Sequence, residues 1–286
     1  MDVGVVGAGR VGTALAVLLR RAGHRVVAAS GGQPSRERAA RFLPHVPFGT
    51  SSQAAAAEVV LVGVPDDALA PVCDELAAGG AFRAGQAVVH LSGSVALDVL
   101  DPAAAAGAEV LSVHPLQTFP GVEEAVERLP GSAVAVTART EAGFSVGERV
   151  ASDAGGRPFR LDDRWKPLYH AAAVFVSNYL TAVVAVGEGL FRRAGIAEPA
   201  EVFGPLARAS LDNVLRLGAA GALTGPAVRG DAGTIRRNLE ALSEHAPESV
   251  PAYVALAGVA LEVAERAGHL EASGRARVER ELAAWS

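Results

Sequence analysis

The chain has 286 residues, half of them apolar and a fifth charged, which excludes wholesale disorder and allows one large domain or two modest ones. Its net charge of −5 argues against binding to nucleic acid or to an anionic membrane, because both need a basic surface. The single cysteine, Cys73, excludes a disulfide framework and a multi-thiolate metal site, and no metal is predicted. Met1 leads directly into a strand-like segment without a basic leader, so we expect a soluble, cytoplasmic protein.

Two kinds of pattern divide the chain. Up to about residue 160, alanine-rich helical segments alternate with short β-branched runs at 3–6, 26–29, 59–64, 87–91, 110–113, 134–136 and, weakly, 158–161. Continuous apolar runs indicate strands buried on both faces, and their alternation with helices indicates a parallel sheet. After Asp162 only helical patterns follow, at 163–194, 198–217, 231–245 and 248–267. We therefore predict an α/β fold, with a doubly wound, mostly parallel sheet over 1–160 and an all-helical domain over 161–286.

A glycine-rich turn follows the first predicted strand. It reads Gly7-Ala8-Gly9-Arg10-Val11-Gly12 and opens an amphipathic helix that ends at Gly23. In this context Gly7 permits a tight turn, Gly9 lets the backbone approach a pyrophosphate, and Gly12 allows close packing of helix on strand. The helix N-terminus adds unpaired N–H groups and a positive dipole end. The segment predicts dinucleotide binding, and the alternative is a glycine turn that holds no ligand.

The tip of the second predicted strand distinguishes between the two nicotinamide dinucleotides. An NAD site places an acidic residue there, about 20 residues after the motif, for the ribose 2′-OH. This chain instead has Ala29-Ser30-Gly31-Gly32-Gln33-Pro34-Ser35-Arg36. Ser30, Ser35 and Arg36 suit a 2′-phosphate, because a guanidinium can hydrogen-bond two of its oxygens. We predict NADP as the cofactor, with NAD possible; alternatively, Arg36 and Arg38 are only solvated residues of the next helix.

Ligands of open parallel sheets lie outside the carboxyl ends of the strands, where two further segments fall. The run at 59–64 ends at Val64-Pro65, which should border the nicotinamide, and Asp66 or Asp67 should cap the helix that follows. The run at 87–91 leads into Ser92-Gly93-Ser94, whose hydroxyls could hold a substrate oxygen or only form a turn.

His114-Pro115 follows the next strand at the same predicted edge. A histidine at the carboxyl end of a strand, held by a following proline, is well placed for proton transfer. A pKa near neutrality would let it both donate and accept a proton. The alternative is a histidine whose ring is satisfied by the backbone.

Polar residues interrupt the almost wholly apolar run at 171–186. His170, Ser177 and Asn178 are spaced i, i+7 and i+8, which places them on one helix face. Such groups must be paired, either in a site or by hydrogen bonds between helices. They argue against a membrane span, which needs about 20 predominantly apolar residues. We expect a helix buried in the core or in a homodimer interface; Lys166, the only lysine, stands at its head.

The loop at 221–234 contains more glycine and proline than a simple connection needs. Its Thr224 and Arg229 are candidate substrate ligands, since an arginine can hold a carboxylate by two hydrogen bonds. Asp231 is predicted to cap the next helix.

Four segments together resemble one protein family: 7–12, 114–119, 169–180 and 223–231. They resemble the Rossmann-like oxidoreductases that carry a helical C-terminal domain of unknown function. That family is related to pyrroline-5-carboxylate reductase, prephenate dehydrogenase, ketopantoate reductase and the β-hydroxyacid dehydrogenases. The resemblance spans nearly the whole chain and implies a Rossmann domain followed by a helical dimerisation domain.

The resemblance also implies roles for single residues. His114-Pro115 is similar to the His-Pro of prephenate dehydrogenases, where the histidine handles the substrate hydroxyl. Asn178 matches the asparagine that orients the substrate in β-hydroxyacid dehydrogenases. Those enzymes have a catalytic lysine one turn before the asparagine, where this chain has Val174, and the nearby His170 could take its place.

The predicted function is that of an NADP-dependent oxidoreductase, which transfers a hydride to or from the C=O or C=N of a small carboxylate-bearing metabolite. His114 is the expected proton donor and acceptor, with His170 in reserve. Ser92, Ser177 and Asn178 are expected to orient the reacting group. The sequence does not identify the substrate. The alternative is a non-catalytic dinucleotide-sensing protein that dimerises through its helical domain.

Overall fold

The structure is a computed structural model and describes residues 1–285. Its central element is an eight-stranded sheet made of β1 (Asp2–Val6), β2 (Arg25–Ser30), β3 (Phe48–Gly49), β4 (Val59–Val62), β5 (Ala87–His90), β6 (Glu109–Pro115), β7 (Ala133–Ala138) and β8 (Arg157–Arg160). The strand order is β3-β2-β1-β4-β5-β6-β7-β8. All neighbouring pairs are parallel except β6 and β7, which are antiparallel. The predicted α/β fold with a mostly parallel, doubly wound sheet is confirmed.

Two details of the sheet differ from the prediction. The sequence pattern does not reveal β3, because a strand of two residues is too short to show a period. Strand β6 runs on through His114 and Pro115, so His114 lies inside the strand and not after it. The antiparallel pairing with β7 lengthens β6, since His114 lies opposite Ala135 and Pro115 opposite Val134.

Helices cover both faces of this sheet: α1 (Arg10–Arg21), α2 (Gln33–Phe42), α3 (Ser51–Ala54), α4 (Asp66–Ala78), α5 (Asp101–Ala105), α6 (Val122–Arg128) and α7 (Glu141–Asp153). One apolar core includes Leu15 and Val150, and a second includes Leu69 and Cys73. Burial on both faces explains why the strands are continuous apolar runs.

The rest of the chain is helical: α8 (Lys166–Val174), a π-helical turn (Phe175–Tyr179), α9 (Leu180–Arg193), α10 (Pro199–Ala222), α11 (Ala232–His245), α12 (Val250–Arg266) and α13 (Ala272–Ala283). The helical C-terminal region is thus confirmed, and α13 is an addition to the predicted helices. Asp231 caps α11 as predicted, since its carboxylate accepts hydrogen bonds from the backbone N–H and the hydroxyl of Thr234. Ile235, Leu239 and Val278 belong to a small core of this region.

The chain forms two compact units, one over Met1–Asn178 and one from Tyr179 onward. The sequence pattern groups residues 161–178 with the helical half, but by their contacts they lie in the first unit. Lys166 shows the reason, because its side chain is buried and hydrogen-bonded to Ser92 and Ser112 of that unit.

Residues 163–193 form one helical stretch that is long and apolar enough to cross a membrane. Of the two alternatives expected for this stretch, burial in the core of its own chain is contradicted, and burial in a homodimer interface stays a prediction. Phe175 is 67% exposed and Val176 is 72% exposed. Helix α9 has no buried residue, and Pro199 is the only buried residue of α10. The apolar side chains of these helices are therefore uncovered by the described part of the chain.

Candidate active site

The glycine-rich turn connects β1 to α1 as predicted. Gly7 has φ +76°, a conformation that favours glycine, and a Cβ there would lie 2.5 Å from Cγ1 of Val64. A Cβ on Gly9 would lie 3.1 Å from the carbonyl oxygen of Gly63. Gly9 is also the N-cap of α1 and supplies no side-chain cap, so the first-turn N–H groups of α1 remain available to an anion. These features fit a bound pyrophosphate.

The side chains after β2 differ in what they offer a 2′-phosphate. Arg36 is exposed, and its guanidinium lies 4.6 Å from the centre of the Phe48 ring, which orients the planar group. Ser35 is partly exposed beside Gly31. Ser30 departs from the prediction: its hydroxyl is buried, 3.4 Å from both the Val5 carbonyl oxygen and the Ser51 hydroxyl, and donates its proton to one of them, so it does not face a ligand.

Arg38 contacts the glycine turn, which the sequence does not predict. Its guanidinium donates a 2.7 Å hydrogen bond to the carbonyl of Ala8, inside the glycine motif. It therefore supports the phosphate-binding turn from the neighbouring helix. Nothing in the sequence separates Arg38 from an ordinary solvated helix residue.

Val64 and Pro65 follow the carboxyl end of β4, and Val64 lies against Gly7 of the glycine turn. The predicted cap of α4 is wrong: Pro65 is the N-cap, and no side chain caps this helix. Asp66 instead accepts 2.8 Å hydrogen bonds from the hydroxyls of Ser92 and Ser94. A carboxylate in the first turn still stabilises the helix through its dipole. The Asp66 carboxylate also links α4 to the turn after β5.

The turn after β5 is built from its own hydrogen bonds. Besides its bond to Asp66, the Ser92 hydroxyl accepts from the N–H groups of Ser94 and Val95, at 3.2 and 3.1 Å. The Ser92 N–H donates to Nδ1 of His90, at 3.2 Å. The Ser92 side chain is therefore engaged within the protein, unlike the substrate ligand that the sequence predicts.

Lys166 lies directly beneath this turn and is only 1% exposed. Its ammonium donates to the carbonyl oxygen of Ser92 at 2.8 Å and to the hydroxyl of Ser112 at 2.7 Å. Burial lowers the pKa of Lys166 to about 8, although the carboxylates of Asp163 and Asp66 act in the opposite direction. Its being the only lysine was the one sequence signal that pointed to it.

The rings of His114 and His170 both approach Gly93, and their centroids are 5.9 Å apart. A Cβ on Gly93 would lie 2.7 Å from Nε2 of His114 and 2.9 Å from Nδ1 of His170, so only glycine fits there. A 3.0 Å hydrogen bond joins Nδ1 of His114 to the hydroxyl of Tyr169, a partner that the sequence analysis did not assign. Nδ1 of His170 is buried and has no hydrogen-bond partner among residues 1–285.

The protonation state of His114 differs from the expectation. Burial, followed by the charges of Lys166 and His170, lowers the pKa of His114 to about 4. Burial also raises the pKa of Tyr169 to about 12. At neutral pH the pair is therefore a neutral imidazole hydrogen-bonded to a neutral phenol, and the predicted near-neutral pKa of His114 is wrong.

A cavity of 290 Å³ opens beside this pair. Its lining combines polar and apolar residues: His114, Leu116, Gln117, Thr118, His170, Ala173, Val174, Val176, Ser177 and Asn178. None of these ten is an acidic residue, a lysine or an arginine. The sequence therefore grouped His114, His170, Ser177 and Asn178 correctly in space, and the structure adds that Ser177 and Asn178 lie on the π-helical turn. Such turns are frequent at functional sites.

Thr224 and Arg229 are exposed in the loop before α11, within the second unit. Their assignment as substrate ligands stays a prediction. Among residues 1–285, no group of three or more His, Cys, Asp or Glu side chains could hold a metal ion.

We expect acid to destabilise the fold through two buried imidazoles. The pKa of His90 is lowered to about 3, mainly by burial, and that of His114 to about 4, both from an ordinary 6.5. As the pH falls below 6.5 the unfolded chain takes up protons that the folded chain does not, so the free energy of unfolding decreases. Since one pKa unit corresponds to about 1.4 kcal/mol, the loss should reach several kcal/mol near the lower end of this range.

Urea unfolding at neutral and at mildly acidic pH measures this loss. His114→Asn should remove part of it, while His269→Asn, at an exposed position, should leave it unchanged. An acid-dependent loss of equal size in His114→Asn and the wild type would contradict the assignment.

Comparison with known proteins agrees with this architecture. A sequence profile of Rossmann-like domains matches residues 1–115, and the profile of a domain of unknown function, DUF2520, matches residues 132–259. Among proteins of curated function, none matches the chain in sequence.

Three solved structures are similar along most of their length. A candidate NADP oxidoreductase from Bacteroides fragilis is 25% identical with a TM-score of 0.77, over 91% of this chain and 98% of its own. An imine reductase from Myxococcus stipitatus, in complex with NADP+, is 19% identical with a TM-score of 0.69, over 99% and 100%. An arogenate dehydrogenase from Synechocystis is 18% identical with a TM-score of 0.51, over 100% and 88%.

At such low identity the last two show the fold alone. The two profile matches confirm the family that the sequence motifs resemble. The chain is a Rossmann-like protein with a C-terminal DUF2520 domain.

Proposed function

We propose that this protein is an NADP-dependent oxidoreductase that reduces the C=O or C=N of a small metabolite, or oxidises the product. The observation that carries the proposal is the position of two features of the first unit. A glycine turn that fits a pyrophosphate and a cavity lined by His114, the hydrogen-bond partner of Tyr169, both lie at the carboxyl ends of parallel strands, where such sheets bind ligands. NADP is further supported by the Bacteroides and Myxococcus structures.

The residues present fit this cofactor. The turn at 7–12 would hold the pyrophosphate, Ser35 and Arg36 would take the 2′-phosphate, and Val64 and Pro65 would border the nicotinamide. When bound, NADP supplies the hydride chemistry, and the protein supplies position and a proton.

The His114–Tyr169 pair supports proton delivery without a charged imidazole. An oxygen that gains negative charge during carbonyl reduction would take the Nε2 proton of His114, while Nδ1 accepts the phenolic proton of Tyr169. The phenolate would then recover its proton from solvent. A neutral pair also suits the reverse direction, in which Nε2 must accept the proton of an alcohol.

The cavity lining suits an uncharged reacting group. Its asparagine, serine and histidine side chains can orient a C=O or C=N, and its alanine and valine side chains would contact the carbon skeleton. A carboxylate on the substrate, held by Arg229, remains part of the proposal from the sequence.

The test of the proposal is NADPH oxidation against a panel of 2-oxo acids, their esters and cyclic imines. Turnover with one class identifies the reacting group, and a preference for acids over their esters supports the carboxylate. Tight NADP binding without turnover on any class would overturn the oxidoreductase and favour a dinucleotide sensor.

NADP should bind more tightly than NAD, and Arg36→Ala should remove this preference. A charge-assisted pair of hydrogen bonds is worth roughly 1.5–3 kcal/mol, or about tenfold or more in affinity. Titration of both dinucleotides measures it. Arg41→Ala is the matched control, because Arg41 is also on α2 and also stacks on a ring, that of Phe42. Equal affinities in the wild type would contradict the assignment.

His114→Asn should lower turnover by roughly a hundredfold while leaving the Kd of NADP nearly unchanged, because it removes a positioned acid–base group. Tyr169→Phe should lower turnover in the same way, since it removes the partner of Nδ1. His170→Asn is the comparison: if it does more damage than His114→Asn, the two histidines exchange roles. If neither histidine variant changes turnover by more than about threefold, the proton takes another route.

We also propose that the protein is a homodimer through its helical region. Helices α9 and α10 expose many large apolar side chains, including Leu206 and Leu215, and such a surface on a soluble protein marks an interface. Light scattering should give twice the mass of one chain. Leu215→Glu should lower it toward the monomer, and Arg280→Glu, on α13, should not. A monomer mass for the wild type, or solubility only in detergent, would contradict the dimer.

A further inference from the structure

One buried charge lies beneath the active site and takes no part in the proposed proton transfer. Lys166 Nζ contacts neither His114 nor the cavity lining by hydrogen bonds; its two described partners are the Ser92 carbonyl and the Ser112 hydroxyl. A buried ammonium is costly unless it is well paired, and neither partner is an anion. We therefore look for a role of the Lys166 ammonium other than stabilising the fold.

The fold does not need Lys166 to satisfy these partners. The Ser112 hydroxyl also donates a 3.1 Å hydrogen bond to the same carbonyl of Ser92. Without the ammonium, both groups would still be paired with one another. A methionine of similar length in this place would remove a buried charge and leave no buried polar group unsatisfied.

The ammonium instead acts on the shape of the turn. It donates a hydrogen bond to the Ser92 carbonyl, while the Asp66 carboxylate accepts hydrogen bonds from the hydroxyls of Ser92 and Ser94. Gly93, between these two anchors, is the residue against which the rings of His114 and His170 pack. The turn is thus hydrogen-bonded to two opposite charges, the ammonium of Lys166 at its backbone and the carboxylate of Asp66 at its hydroxyls.

We propose that Lys166 is a positioning residue, whose buried ammonium fixes the Ser92–Gly93 turn against the rings of His114 and His170. This role rests on the proposed function, in which those rings serve the reaction. The reaction rate depends strongly on the positions of the reacting groups, since a displacement of about 1 Å can lower it roughly a hundredfold.

The charge of Lys166 also reaches the groups around it. Asp163, before α8, and Asp66, on α4, face it and favour its protonated form. His90, on β5, and His114, on β6, also face it, and its positive charge is one of the causes that lower the pKa of each. Removing this charge should therefore raise the pKa of His114, which a purely steric support would not do.

The experiment compares Lys166→Met with Arg164→Met, which removes an exposed charge two residues away. In Lys166→Met we expect the melting temperature to be unchanged or higher. Hydrogen exchange at the amides of Ser94 and Val95 should become about tenfold faster, because their acceptor moves with the turn. The pKa of His114, followed by NMR, should rise. With a substrate, kcat should fall about tenfold or more at an unchanged Kd for NADP. Arg164→Met should change none of these.

Unchanged amide exchange and an unchanged His114 titration in Lys166→Met would overturn the proposal. So would a large loss of stability with a normal His114 titration in the folded fraction, since that result assigns Lys166 to the fold alone. If Lys166→Met does not fold, Ser112→Ala replaces it, because it removes one acceptor of the ammonium and should still speed exchange at Ser94 and Val95.

The amide-exchange and His114-titration measurements need no turnover. A wild type that binds NADP but reduces nothing would overturn the proposed function, and the exchange and titration data would still decide whether Lys166 holds the turn.

Discussion

The whole candidate site depends on the parallel sheet, because parallel strands bring their carboxyl ends to one edge. The glycine turn after β1, the Val64-Pro65 step after β4 and the Ser92–Ser94 turn after β5 come together there for that reason alone. The antiparallel strand β7 extends β6 to Pro115 and carries His114 to the same place. Residues that are far apart in the chain meet because of the sheet topology. Their local sequences need only stop each strand and form the turn that follows it.

The second constraint is electrostatic. Three histidines and one lysine lie within or beside the same buried region, where water cannot stabilise many positive charges. Of these groups, Lys166 carries the positive charge, and the carboxylates of Asp163 and Asp66 favour it. The imidazoles of His90 and His114 remain neutral at neutral pH, because burial and this charge lower their pKa. The proposed proton transfer would therefore run between neutral, hydrogen-bonded groups, whereas the sequence predicts a histidine that titrates near neutral pH.

The helical region shows what an apolar pattern leaves undetermined. The run at 171–186 has the composition of a core helix, and the sequence alone could not distinguish burial within the chain from burial against a second surface. In the structure α9 is uncovered and α10 nearly so, while α11, α12 and α13 contribute to a separate small core. Hydrophobic periodicity indicates which face of a helix is apolar, but it does not identify what covers that face.

The sequence by itself indicated the alternation of strands and helices, the helical remainder, the glycine turn and the grouping of His114, His170, Ser177 and Asn178, because each of these depends on local patterns and on one topological rule. It did not reveal the two-residue β3 or helix α13. It also indicated Arg36, but it could not show that Ser30 is turned inward. Only the tertiary structure decided that Asp66 binds the Ser92 turn, that Tyr169 pairs with His114, and that Lys166 is buried beneath them. Those outcomes depend on which atoms meet across strands and on how little water reaches them, and neither quantity has a signature in the order of residues along the chain.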